Sequence, residues 1–407
     1  MATSLRVAVI GAGAAGLAAA RELRGEGHAP VVFKRAGDVG GTWIYDAAAE
    51  GGRSSLYASL RTNLPREVMG FLDFPFAAVS PATPSTRAGS RPTTRCCATS
   101  VQAYARRFEL RGLIRFRAEV IAVRRRRQQS GWSVRWRRTA SSESDDEEEE
   151  EAFDAVVVCN GHYTEPRVAD DIPVVADGAW PGKQMHSRAY RVPDPFAGQV
   201  VVIVGASNSG ADISRDIAAV AKEVHMANRA APADTCRSLP GAWLPKLVAP
   251  IHGGACRGRW QRGVPRRQNS VKANIIMHCT GYKYSFPFLG DDSTITIDDN
   301  RIHPLYKHVF PPQAAPYLSF IGLPGNDGRC ESLVLEMEAT GTPKRHTHCL
   351  KYNQFEYDDW LAEQSGHAKV EEWSQKKKDC PETYRDQWEW DDHHLLEEAN
   401  QYFQKYL

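Results

Sequence analysis

Leu5 to Ile10 form a short, almost wholly apolar run that stops at Gly11-Ala12-Gly13-Ala14-Ala15-Gly16. Such a run is too short for a buried helix and predicts a buried strand. Ala14 to Arg24, rich in Ala, Leu and Arg, predicts a helix, and Pro30 to Phe33 a second strand. Together they make a strand–turn–helix–strand unit of about 30 residues. The pattern returns further along the chain. Val200 to Val204 is again apolar, Gly205-Ala206-Ser207-Asn208-Ser209-Gly210 follows, residues 211–223 read as helix and Val224 to Ala227 as strand. Strands alternating with helices in this way predict an α/β fold with parallel sheets.

The punctuation between strand and helix carries the chemistry. A glycine-rich turn set between a strand and a helix lets backbone N–H groups approach a pyrophosphate at the positive end of the helix. Gly11, Gly13 and Gly16 meet that requirement, with Ala14 and Ala15 opening the helix. Gly205, Ser207, Ser209 and Gly210 meet it again with serine in the middle place. Two such units imply two nucleotides. At the end of the second strand an acid would bind a ribose diol, whereas an arginine would pair with a 2′-phosphate. Arg229 stands there in the second unit and favours NADPH over NADH, the alternative being a surface arginine that closes the strand.

Residues 153–161 and 273–281 each read as a strand running into glycine, with Pro166 and Pro287 beyond. These matching exits predict two Rossmann-like domains, one inserted into the other. Residues 1–165 and 280–407 form a discontinuous first domain, and 166–279 the inserted one. Residues 77–100, rich in Ser, Thr, Pro and Arg, read as loop. The arginines of 124–127 read as a solvated strand face, and the acidic run 145–151 as a hairpin tip. Residues 251–270 are basic and aperiodic, and the chain from Tyr352 onward reads as amphipathic helices.

Composition narrows the partners. A net charge of +2 gives no reason to expect nucleic acid, and no apolar stretch reaches the ~18 residues of a spanning helix. Nine cysteines without repeated C-x-x-C spacing fit reduced thiols in a cytoplasmic setting better than a disulfide framework or a metal site. Cys159 and Cys279, in the two exit strands, read as small core residues.

The first turn, Gly40-Gly41-Thr42-Trp43, the second turn, and Trp180-Pro181-Gly182-Lys183-Gln184-Met185-His186-Ser187-Arg188-Ala189-Tyr190 together resemble the flavin-containing monooxygenases. Residues 59–67, 161–169 and 278–289 resemble more closely the plant branch similar to glucosinolate S-oxygenases. The resemblance implies FAD on the first turn, with Gly41, Thr42 and Trp43 beside it, and NADPH on the second. It implies an N,N-dimethylaniline monooxygenase type of reaction. Reduced flavin takes up molecular oxygen as a C4a-hydroperoxide and passes one oxygen atom to a thioether sulfur or an amine nitrogen. Asn63 matches the family's active-site asparagine, whose amide can both donate and accept. His186 and Tyr190 read as structural groups at the domain junction.

The chain departs from the resemblance at Lys34, where an acid would hold the FAD ribose, in 77–100, in 251–270, and after Pro324, where relatives carry more residues. These departures predict weakened flavin binding and lowered turnover, the extreme being a nucleotide-binding remnant. A flavin monooxygenase acting on an indole keto acid shares both turns but matches 161–169 and 278–289 less well. A disulfide reductase would need the redox cysteine pair that the sequence lacks.

Overall fold

In the computed structural model the described residues are 3–48, 54–62, 69–71, 73–76, 93–126, 130–139, 148–169, 182–227, 247–251, 272–290, 294–323 and 362–363. Strand β1 (Arg6–Ile10), helix α1 (Ala14–Gly25) and strand β2 (Ala29–Lys34) form the first unit. The chain then adds α2 (Thr94–Arg107), β3 (Ile114–Phe116), β4 (Ala118–Arg125), β5 (Trp132–Arg138), β6 (Glu148–Phe153) and β7 (Ala155–Val158). A short β8 (Glu165–Pro166) and β9 (Lys183–His186) precede the second unit of β10 (Val200–Val204), α3 (Asn208–Ala218) and β11 (Glu223–Ala227). After it come β12 (Leu247–Ile251), β13 (Ile275–His278), β14 (Tyr282–Lys283), β15 (Thr296–Asp298), β16 (Arg301–His303) and β17 (Leu318–Phe320).

Two five-stranded parallel sheets result, one in the order β17-β7-β1-β2-β3 and the other in the order β12-β11-β10-β13-β9. Their central strands are the continuous apolar runs seen in the sequence, because a parallel strand is covered on both faces. β7 and β13 are buried along their whole length. A separate antiparallel sheet, β4-β5-β6, lies beside the first.

Three cores hold these layers. Phe33 of the first sheet packs with Trp136 and Phe153 of the antiparallel sheet and with Val156, Phe286 and Phe320. On the opposite face Val7, Val9 and Val32 meet Leu17 and Ala20 of α1 and Val101 and Tyr104 of α2. Around the second sheet, Val201, Ile203 and Val224 meet Ile213 and Ile217 of α3. Each such side chain contributes about 1.5–3 kcal/mol when fully buried.

The expected strands and first helix are all present; β10 matches its expected bounds, Val200 to Val204, and the others have ends shifted by a residue or more. Three expectations need correction. Residues 94–100 are not loop: they are the first turns of α2, where Thr93 caps the helix by accepting from the Cys96 N–H. The buried stripe there is written in Thr94, Cys97 and Ser100, so small polar residues hid its helical spacing. Residues 148–151 are not a hairpin tip but most of β6, paired with β5 through Trp132↔Phe153 to Arg137↔Glu148. Charged residues suit the edge of a sheet. Glu151 points to the covered side, where Arg6 (2.5 Å), Arg115 and Trp136 (3.1 Å) hold it. Finally, α3 starts at Asn208 and ends at Ala218, and Glu223 already belongs to β11. Residues 252–270 and 324–361, and the tail from 352 apart from 362–363, lie outside the described residues.

Candidate functional site

The two glycine-rich turns are built to one plan. Gly11 donates to the Phe33 carbonyl (2.9 Å), and Cys159 to the Ile10 carbonyl (2.9 Å). In the second unit Gly205 donates to Ala227 (3.0 Å), and Cys279 to Val204 (2.8 Å). Gly11 has φ +116° and Gly205 φ +103°, a region costly to any residue with a Cβ. A Cβ on Gly11 would stand 2.2 Å from the Cys159 carbonyl oxygen, and one on Gly205 2.4 Å from that of Cys279. Gly16 and Gly210 are equally constrained. Their Cβ atoms would fall 1.9 Å and 2.1 Å from the carbonyl oxygens of Gly11 and Gly205.

The middle position differs for a visible reason. Gly13 (φ −87°, ψ −170°) and Ser207 (φ −80°, ψ −170°) share one extended conformation open to any L-residue. The serine that weakens the second motif as a pattern therefore leaves its backbone path intact. In the first unit Gly41 (φ +59°) folds back on this place, and a Cβ on Gly41 would be 2.8 Å from the Gly13 Cα. Gly40 donates to the Ala12 carbonyl (3.1 Å), so the Gly41–Trp43 turn, carrying Thr42, lies against the first glycine turn.

No side chain caps either helix, and neither α1 nor α3 has an acidic residue in its first turn. The opening amides at Ala14, Ala15 and Gly16, and at Asn208, Ser209 and Gly210, have no partner within their own helix. Glycine cradles and uncapped helix starts are what a pyrophosphate requires. The residues present therefore fit a dinucleotide at each turn.

At the ends of the second strands the units part. Matching Phe33 with Ala227 sets Lys34 opposite Asn228 and Arg35 opposite Arg229. In sequence, an arginine therefore follows two positions after Phe33 and two after Ala227. Arg35 is engaged with Glu119 (3.4 Å), and its carbonyl accepts from Thr139 (3.0 Å). Asp38, the nearest acid after Lys34, accepts from Gln102 (3.0 Å), Arg111 (2.8 Å) and the Val39 N–H (2.8 Å). Burial alone would raise its pKa, but the Arg111 and Val39 bonds hold it below the ordinary carboxylate value. Asn63 and Arg229 lie outside the described residues.

Beneath the turns Cys159 and Cys279 are buried, each 6% exposed, and burial pushes both thiols up to about 12. Their Cβ atoms lie 3.4 Å and 3.5 Å from where Cβ atoms on Gly16 and Gly210 would be, so a small residue is needed there. His186 lies close to the Gly281 carbonyl (3.0 Å) and accepts from the Arg188 N–H (3.0 Å). Burial lowers its pKa to about 4, against the effect of the Gly281 bond, so the ring is neutral at pH 7. Tyr190, 1% exposed, donates to Asp216.

Sequence reasoning missed Arg191, Asp212 and Asp216. Arg191 is 5% exposed and gives all four of its bonds to main-chain carbonyls, those of Asp46, Arg188, Tyr190 and Ser54. Asp212 and Asp216 stand four apart on α3 beside the buried Ile213 and Ile217, a spacing that puts both carboxylates on one side of the helix. That spacing was the available signal.

Among the described residues no helix is long and apolar enough to cross a membrane, and no His, Cys, Asp and Glu cluster could hold a metal ion. The four described cysteines are free thiols.

Residues 4–238 and 267–339 match the family model described as flavin-binding monooxygenase-like. The chain is 44% identical to the Arabidopsis thaliana flavin-containing monooxygenase FMO GS-OX-like 4 over 457 residues, 99% of this chain and 98% of that protein. It is 44% identical to FMO GS-OX5 of the same plant over 454 residues, 98% of this chain and 95% of the relative. Among solved structures, S-allyl-L-cysteine S-oxygenase from Allium sativum is 42% identical with a TM-score of 0.82, each chain being covered to 99%. Similarity carried through nearly the whole chain gives no support to a degraded remnant.

Proposed function

The chain belongs to the flavin-binding monooxygenase-like family, and from that premise we propose that it transfers one oxygen atom to the thioether sulfur of a small molecule. It is a flavin monooxygenase, and its family works with FAD and NADPH. The observation that carries the choice of sulfur over an amine nitrogen is the full-length likeness to S-allyl-L-cysteine S-oxygenase.

When bound, FAD and NADPH supply the oxygen activation and the reducing hydride. The chain's own residues bind, orient and shield. Gly11, Gly13 and Gly16, with the opening amides of α1, would seat the FAD pyrophosphate, with Gly41, Thr42 and Trp43 beside it. Lys34 would lie nearest the ribose. Gly205, Ser207, Ser209 and Gly210 seat the coenzyme pyrophosphate, and Arg229 pairs with its 2′-phosphate. Asn63, by its match to the family's active-site asparagine, would supply an amide able both to donate and to accept a hydrogen bond.

In this reading residues 1–165 and 280–407 form the FAD domain, and 166–279 the inserted NADPH domain. The return of β17 to the first sheet, and of β13 to the second, supports that division. The four described cysteines, free thiols, suit a reducing, cytoplasmic setting.

The test is a flavin spectrum on purified full-length protein, followed by NADPH oxidation with and without S-allyl-L-cysteine or a tertiary amine. Thioether-dependent NADPH use with stoichiometric sulfoxide is expected. NADPH use indifferent to the thioether, with no sulfoxide by mass spectrometry, overturns the reading.

A further inference from the structure

Ser54 to Thr62 lead in sequence to Asn63, yet this segment is fastened to the second nucleotide unit. Tyr57 is 6% exposed in the core built by Ile203, Ile213 and Ile217, with its ring 5.4 Å from that of Tyr190 in an edge contact. The Ala58 N–H donates to the Arg191 carbonyl (2.9 Å), and the Arg191 guanidinium holds the Asp46 (2.6 Å) and Ser54 (2.8 Å) carbonyls. α3 completes the attachment. Asp212 accepts from the Tyr57 hydroxyl, and Asp216 accepts from both Ser59 Oγ (2.7 Å) and the Tyr190 hydroxyl.

The helix that makes these bonds is the one whose first turn follows Gly205 and Ser207. Its N-terminus lies on the coenzyme turn, and its side holds the chain that runs into Asn63. Hydroxyl-to-carboxylate bonds are short and directional, so they do not tolerate sliding of one partner past the other.

We propose that Asp212 and Asp216 are positioning residues: NADP(H) bound at the second turn orders residues 54–62, the segment that precedes Asn63 in sequence, through α3. This rests on the reading of the second turn as the coenzyme site. An anion at the helix N-terminus fixes the first turn of α3. Hydrogen bonding along the helix carries that constraint to Asp216. Coupling between two places is reciprocal in binding free energy. Loosening 54–62 must therefore weaken NADP⁺ binding by the factor with which NADP⁺ tightens 54–62.

The experiment uses the flavin-loaded full chain and NADP⁺ itself. Calorimetry gives Kd, and amide hydrogen exchange is followed with and without NADP⁺ in the native protein, Asp216→Asn and Tyr57→Phe. NADP⁺ should slow exchange in 54–62 of the native protein. Asp216→Asn should remove that slowing while the first turn of α3 keeps its own, and should weaken NADP⁺ about five- to tenfold. Tyr57→Phe keeps the ring and loses only the hydroxyl, so it should act in the same sense even where Asp216→Asn folds poorly. NADP⁺ that binds the native protein without slowing 54–62 overturns the proposal, as does slowing that persists unchanged in both variants. No NADP⁺ binding by the native protein removes the coenzyme reading of the turn, and this proposal with it.

Discussion

The carbonyl oxygen of Cys159 fills the space that a side chain on Gly11 would need, 2.2 Å from its Cβ position. Cys279 stands to Gly205 in the same relation at 2.4 Å. Each unit has thus closed its turn against the end of its neighbouring strand, leaving room for no residue but glycine. Gly11→Ala should abolish flavin retention, read as the ratio of flavin to protein absorbance, while NADP⁺ still binds. Gly205→Ala should do the reverse. Loss of both ligands in each variant would show that the turns serve the fold and not separate nucleotides.

In the proposed reading, coenzyme choice turns on Arg229. A charge-assisted contact with a 2′-phosphate contributes about 1.5–3 kcal/mol, or roughly 10- to 150-fold. Arg229→Ala should raise the NADPH concentration needed by that factor and leave any NADH reaction almost unchanged. Steady-state kinetics with both coenzymes check this, and an equal loss with each would make the residue structural.

In the proposed reading, oxygen transfer turns on Asn63. Asn63→Asp places a negative charge where negative charge develops on oxygen. NADPH oxidation should continue while hydrogen peroxide replaces the oxygenated product. The ratio of sulfoxide formed to NADPH used is the measurement, and an unaltered ratio would remove Asn63 from the site.

Much of this was legible because glycine punctuates short apolar runs. The strand–turn–helix units, and the small buried cysteines at 159 and 279, follow from local pattern and steric need. Other features depend on partners distant in sequence. The glutamates at 148–151 look like a solvated tip until β5 pairs with them. Thr94, Cys97 and Ser100 do not look like a buried stripe until Val101 and Tyr104 continue it. No local pattern at 54–62 shows that Tyr57 belongs to the core of α3.

In the proposed reading, Lys34 offers donors where a ribose diol needs an acceptor, and Asp38 is turned to Gln102 and Arg111. Recombinant protein should therefore purify with less than one FAD per chain, and Lys34→Glu should raise that occupancy. Full occupancy in the native protein, unchanged by the substitution, would point to a backbone carbonyl as the ribose partner.

Glu151 supplies the pH dependence. The Arg115 bond, opposed by burial and joined by Arg6 and Trp136, holds its carboxyl at about 2 against an ordinary 4.5. A depressed carboxyl stabilises the fold above its unfolded value and loses that contribution as pH falls toward the folded one. Glu151→Gln should thus cost about 1–2 kcal/mol at pH 7, allowing for its partial exposure. In thermal melts the difference from native protein should shrink between pH 4.5 and pH 2. A constant difference across that range would exclude the ion pair as its source.

The sheet that carries the first glycine turn also sets an order of assembly during synthesis. Its outer strand β17 pairs Leu318↔Val156 to Phe320↔Val158, so β7 remains an open edge until the chain has been made past Phe320. At ~5–20 residues per second this leaves the edge uncovered for on the order of ten seconds. The second sheet draws all its strands from 183–278 and is fully synthesised within that interval. The nascent chain therefore passes through a stage in which every strand of the second sheet has been made while the first sheet still has an unpaired edge at β7.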